Sequence, residues 1–139
     1  YTETRTKFSP SEELKVPVLF EGKNNEKFAA KILKFMTSLQ AELPWVKNLS
    51  LEIETSNTFP HGTGIASSAS GMSALGLCLS EYLGSKEDRD FFERASFLSR
   101  LASGSACRSV YGGFTSWGDV SDYFASPVDV HKDLEHLHD

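Results

Sequence analysis

With 139 residues, 40% of them hydrophobic and 24% charged, the chain is long enough for one domain with its own core and too short for two substantial ones. A formal charge of -5 with scattered Lys and Arg offers no sequence-wide attraction for phosphate backbones or anionic lipid, so neither nucleic acid nor membrane is an expected partner. Only Cys78 and Cys107 are present and no apolar run reaches the roughly 18 residues of a membrane span, which excludes a disulfide framework and points to a reducing, cytoplasmic setting.

Tyr1 to Lys7 is Thr-rich, β-type sequence with no Met at its start and no turn before it, so the chain reads as beginning partway through a larger protein. Val16 to Phe20 is a short apolar run closed by Glu21-Gly22, the pattern of a strand and a turn. From Asn24 to Leu43 the period changes: Phe28, Ile32, Phe35, Met36, Leu39 and Leu43 recur at three- and four-residue steps, with Lys27, Lys31 and Lys34 opposite. This predicts an amphipathic helix ended near Pro44. Leu49, Leu51, Ile53 and Thr55 then alternate with Ser50, Glu52, Glu54 and Ser56, as in a strand with one face on a core, which runs into a turn over Asn57-Thr58-Phe59-Pro60.

The segment from Ile65 to Leu83 is nearly all small or apolar, with Met72, Leu75, Leu79 and Tyr82 at helical spacing, so its helix is expected to be buried on most sides. Gly84-Ser85 ends it, and Ser85 with Asp88 suits a capped start for a further helix marked by Phe91, Phe92, Ala95, Leu98 and Leu101. A small-residue loop follows at Ser103 to Ser109, then a strand over Tyr111 to Trp117 after paired glycines, then a polar tail from Asp119. The tail's His131, His136 and His138 fit no common ligand spacing, which favours a solvated tail over a metal site.

Between the alternating strand and the buried helix lies Pro60-His61-Gly62-Thr63-Gly64-Ile65-Ala66-Ser67-Ser68-Ala69-Ser70. Free N–H groups and the positive dipole end at a helix start attract an anion, while Gly62 and Gly64 let the backbone come close. Ser67 and Ser68 add hydroxyls at the same end. No lysine follows the glycines, so this is not a Walker-type P-loop. The plainer alternative is a Gly/Ser turn whose serines only cap a helix, and spacing alone leaves both open. The string nevertheless resembles the nucleotide phosphate loop of GHMP kinases, in the form used by mevalonate diphosphate decarboxylases. It departs from that family at His61-Gly62-Thr63, where Thr-Ala-Ala is usual, and packing beside the loop is the preferred reading of His61 over a phosphate contact.

The second segment is Ser103-Gly104-Ser105-Ala106-Cys107-Arg108-Ser109, followed by Val110-Tyr111-Gly112-Gly113. Small residues permit a tight fold-back, the serines offer hydroxyls, and Arg108 offers a planar fork able to hold a diphosphate or carboxylate bidentately. A lone arginine on a loop is ordinarily a surface residue. The whole string, however, is similar to a segment that mevalonate diphosphate decarboxylases have and other GHMP kinases lack, with Ala102 where glycine is common. Cys107 is not read as a nucleophile, since no histidine lies near it in sequence.

The resemblance is strong from Asn57 to Gly113 and covers element order alone before that. It implies an α+β class, with residues 1–139 a single partial GHMP kinase N-terminal domain of ribosomal-protein-like β-α-β fold and the C-terminal GHMP domain absent from the chain. It implies that Ser103, Ser105 and Arg108 bind mevalonate 5-diphosphate, that Gly62, Gly64, Ala66, Ser67 and Ser68 bind ATP, and that Ser68 is a Mg²⁺ ligand. The implied reaction phosphorylates the substrate's tertiary hydroxyl, then releases phosphate and CO₂ to leave isopentenyl diphosphate. No catalytic residue is assigned in this chain: the family's lysine- and tryptophan-bearing strand and its aspartate-bearing segment are not found, and Asp119 and Asp122 lack the matching context. A small-molecule kinase, a mevalonate monophosphate decarboxylase or 3-kinase, and a non-catalytic binding module stand as alternatives, and a homodimer is compatible with the reading.

Overall fold

The computed structural model describes residues 1–58 and 67–129, and of Ser67 and Ser68 the backbone. Helices pack on one face of a four-stranded sheet, which is the α+β class expected, and a separate two-stranded hairpin follows. Strand β1 (Thr2–Pro10) pairs antiparallel with β4 (Leu49–Asn57), bringing Thr4 opposite Thr55 and Phe8 opposite Leu51. Strand β2 (Val18–Phe20) runs parallel to β4, with Val18 beside Ile53, and forms a hairpin with β3 (Lys23–Asn24). Glu21 at φ 50° and Gly22 at φ 74° make the turn of that hairpin, a pair of left-handed residues that matches the twist of the flanking strands.

Alternation in β4 explains which face is covered. Leu49, Leu51, Ile53 and Thr55 are buried, while Glu52 and Glu54 point to solvent alongside Arg5 and Lys7 of β1. Onto the buried face pack α1 (Glu26–Leu39) and α2 (Ser67–Leu83), and α3 (Phe91–Ala102) packs against α2 and joins the same core through Leu98. The core runs through Ile32, Phe35, Met36 and Leu39 of α1, Met72, Leu75 and Leu79 of α2, and Leu98 of α3. Thr2 and Thr4 turn the inner side of β1 toward α2: the Thr2 hydroxyl meets that of Ser70 at 2.9 Å, and the Cys78 thiol donates to the Thr4 carbonyl at 3.7 Å. Farther along, Phe8 stacks on Tyr82 with ring centroids 4.0 Å apart.

Several boundaries depart from expectation. The first helix ends at Leu39 rather than Leu43, because Gln40 closes a tighter bond to the Thr37 carbonyl and the Thr37 and Ser38 hydroxyls take the carbonyls of Leu33 and Phe35. Leu43 instead precedes a 3₁₀ turn, Pro44–Asn48, that buries Val46. At its start the Asn25 side chain accepts from the Phe28 N–H at 3.0 Å and caps the helix. Ser85 and Asp88 close a separate turn instead of capping α3, which begins at Phe91, because the Asp88 carboxylate is shared with Arg94 at 3.1 Å. The Arg94 guanidinium also holds the Ser80 hydroxyl and carbonyl, tying the end of α2 to α3. The strand expected over Tyr111 to Trp117 is shortened to β5 (Thr115–Trp117), since Gly113 at φ 76° bends the chain before it. Its partner, β6 (Ala125–Pro127), was not foreseen.

Candidate functional site

Helices α2 and α3 run antiparallel in close contact. The Ser80 hydroxyl donates to the Phe91 carbonyl, and Gly76 lies against Ala95 and Ser99. An added methyl at Gly76 would come within 2.8 Å of the Ala95 carbonyl oxygen, so glycine is what lets the two backbones approach. This register carries the end of α3 toward the start of α2. There the chain enters a 3₁₀ turn over Gly104–Val110 that packs on both helices and sends Ala106 into the shared core.

The loop expected from sequence is therefore an ordered 3₁₀ turn. Ser103 precedes it in extended conformation, with its N–H bonded to the Ser99 carbonyl. Ala106, Cys107 and Val110 are buried beneath it, while Ser105, Arg108 and Ser109 face outward. Among the described residues, no carboxylate pairs with the Arg108 guanidinium, and no hydrogen-bond partner meets the hydroxyls of Ser103 or Ser105. Arg5 is paired with Glu3 at 2.8 Å and Arg94 with Asp88 and Asp90, whereas among the described residues Arg108, like the exposed Arg89, has no ion pair. A cation left open among free hydroxyls on a backbone held from below is suited to receiving an anion.

Cys107 sits inside this turn at 0% exposure, donating its thiol to the Gly104 carbonyl at 3.0 Å. Burial pushes its pKa up, outweighing the pull of the Arg108 charge, which opposes a nucleophilic role. Burial likewise raises Tyr111, with the Glu93 carboxylate adding to it. One residue escaped the sequence reading. Ser96 of α3 is fully buried and hydrogen-bonded to the backbone of the turn and of β6, and no local signal in the sequence separates it from Ser99 on the same apolar inner face.

Gly62, Gly64 and Ala66, together with His61, lie outside the described residues. Ser67 and Ser68 are the first residues of α2, and their side chains are outside the description. The first turn of α2 contains no acidic residue to neutralise the positive end of a 17-residue helix. His131, His136 and His138 also fall outside the described residues, and among those described no group of three His, Cys, Asp or Glu side chains stands together to hold a metal. Asp119 and Asp122 are exposed beyond β5, where the Asp122 carbonyl accepts the Trp117 indole N–H at 3.0 Å. No helix among the described residues is long and apolar enough to cross a membrane.

A family model described as the diphosphomevalonate decarboxylase-like N-terminal domain matches residues 1–126. The diphosphomevalonate decarboxylase of Eremothecium gossypii is 36% identical over 102 residues, which cover 70% of this chain and 24% of that protein. The Homo sapiens diphosphomevalonate decarboxylase is 39% identical over 82 residues, covering 58% of this chain and 19% of the relative. Among solved structures, the mevalonate diphosphate decarboxylase from Enterococcus faecalis superposes with a TM-score of 0.73 at 32% identity, over 94% of this chain and 40% of that one. A complex of MDDEF with MVAPP, AMPPCP and magnesium gives a TM-score of 0.72 at 30% identity, over 94% of this chain and 39% of that one. The chain spans about a quarter of the length of the first curated relative it matches.

Proposed function

Because this chain belongs to the diphosphomevalonate decarboxylase-like N-terminal domain family, we propose that it serves, within its full-length protein, the ATP-dependent decarboxylation of mevalonate 5-diphosphate to isopentenyl diphosphate. The observation that carries this reading is Arg108 on the Gly104–Val110 turn, which has no ion-pair partner among the described residues and is flanked by the Ser103 and Ser105 hydroxyls, likewise without partners among them, at the end of the α2–α3 pair where α2 begins. Residues 1–139 form part of a GHMP-type N-terminal domain, and the C-terminal GHMP domain lies outside them. The enzyme works in the cytoplasm on a small molecule, without nucleic acid.

In this mechanism Arg108 grips the substrate's diphosphate bidentately, and Ser103 and Ser105 donate hydroxyls to its remaining oxygens. Gly62, Gly64, Ala66, Ser67 and Ser68 are assigned to the ATP phosphates, and Ser68 to Mg²⁺. The uncompensated positive end of α2 and its small-residue first turn fit an anionic nucleotide. The complex of a relative with AMPPCP and magnesium supports that pairing. Bound ATP with Mg²⁺ supplies the phosphoryl group that converts the substrate's tertiary hydroxyl into a leaving group. The residues of this chain hold the two anions in register and offset their mutual repulsion, a contribution of position and charge rather than of proton transfer. No residue here is assigned as the group that accepts the hydroxyl proton.

Titration tests the binding reading. Calorimetry of the full-length protein with ATP and Mg²⁺, with and without mevalonate 5-diphosphate, is expected to show saturable nucleotide binding in both cases. Absence of nucleotide affinity in both would reduce the fold to a non-catalytic module.

A further inference from the structure

Ser96 takes no part in the binding set assigned above, yet it is the buried junction beneath it. Its hydroxyl donates to the Cys107 carbonyl at 2.9 Å and accepts the Ala125 N–H at 2.9 Å. Ser96, Cys107 and Ala125 are each 0% exposed, so water has no access to replace either bond. Cys107 immediately precedes Arg108, and Ala125 opens β6. One hydroxyl thus joins α3, the anion-facing turn and the hairpin, using its donor and its acceptor capacity at once.

Ser99 provides the internal contrast. It lies one helical step along and is equally buried, but its hydroxyl returns to the Ala95 carbonyl at 2.7 Å within its own helix and holds nothing of the turn. Two buried serines on one helix therefore have different reach. We propose that Ser96 is a positioning residue that fixes the backbone under Arg108 and so sets the affinity of the site for a diphosphate group; this rests on the reading of Arg108 as the diphosphate ligand. Without the hydroxyl, a buried carbonyl and a buried N–H lose their partner together, and the turn must shift to satisfy them. A shift at Cys107 moves the base of the Arg108 side chain, and a bidentate contact tolerates little displacement.

The test compares variants of the full-length protein. Ser96→Ala is expected to raise KM for mevalonate 5-diphosphate about tenfold, the scale of one charge-assisted contact, while KM for ATP stays within about twofold of the parent. Ser99→Ala should move neither. Equal changes in both KM values, or a rise in Ser99→Ala matching that in Ser96→Ala, would reduce Ser96 to ordinary core support. The parent supplies a readout that needs neither variant folding nor turnover. Saturation with inorganic diphosphate is expected to slow amide exchange at Ala125, because coupling between ligand and junction is reciprocal. Slowed exchange in a protein that does not turn over mevalonate 5-diphosphate would sustain the role of Ser96 and overturn the proposed reaction. Unchanged exchange with diphosphate bound would overturn the role of Ser96.

Discussion

Arg108 bears most of the proposed recognition because it combines exposure, a fork with no partner among the described residues and a base held by the buried side of the turn. Arg108→Lys keeps the charge and loses the fork, and removing one charge-assisted hydrogen bond costs about 1.5–3 kcal/mol. In the full-length protein kcat/KM for mevalonate 5-diphosphate should fall roughly ten- to a hundredfold on that scale, with the melting temperature unchanged, since Arg108 is exposed. A steady-state comparison of variant and parent decides it, and an unaltered kcat/KM would remove Arg108 from the site. At this scale the sequence was informative where chemistry shows in residue type. A fork beside hydroxyls and small residues is visible in the string Ser103 to Ser109. Ser96 was not legible, because its partners lie 11 and 29 residues onward and nothing local distinguishes it from Ser99.

Between elements, the contact of α2 with α3 determines where the turn can sit. Gly76 allows it: a methyl there would press on the Ser99 hydroxyl and on the backbone carbonyl of Ala95. Gly76→Ala should cost about 1–3 kcal/mol through overpacking, despite the better helix propensity of alanine. Adding Ser99→Ala should recover part of that loss and no more, because the Ala95 carbonyl stays in place. Denaturant unfolding of both single variants and the double variant measures the coupling, and full additivity would show that Gly76 and Ser99 do not press on each other. The helices and the long β4 strand were legible from apolar period, since burial of one face dictates it. Their ends were not. Leu39 rather than Leu43 ends α1 because hydroxyls of Thr37 and Ser38 compete for helix carbonyls, and α3 starts at Phe91 because Arg94 holds Asp88. Those are choices among polar partners that a hydrophobic pattern does not record.

Across the whole molecule, one sheet carries α1 and α2 on its buried face, with α3 packed against α2, and a charged layer on the other, and the Gly104–Val110 turn grows from the end of the helix pair. The β2 and β4 pairing is parallel and is joined through α1, a crossover foreseen only as an order of elements. The strand expected over Tyr111 to Trp117 survives as the shorter β5, while β6 escaped notice because a strand of three residues gives too little alternation to read. The proposed function requires the full-length protein to couple phosphoryl transfer to loss of CO₂. The direct measurement is to incubate the full-length protein with ATP, Mg²⁺ and mevalonate 5-diphosphate labelled at its carboxyl carbon, and to follow released CO₂ and ADP together. The two are expected in equal amounts and only when all three components are present. ADP formed without CO₂ would make the protein a kinase of the same fold, and neither product at saturating substrate would rule out both activities.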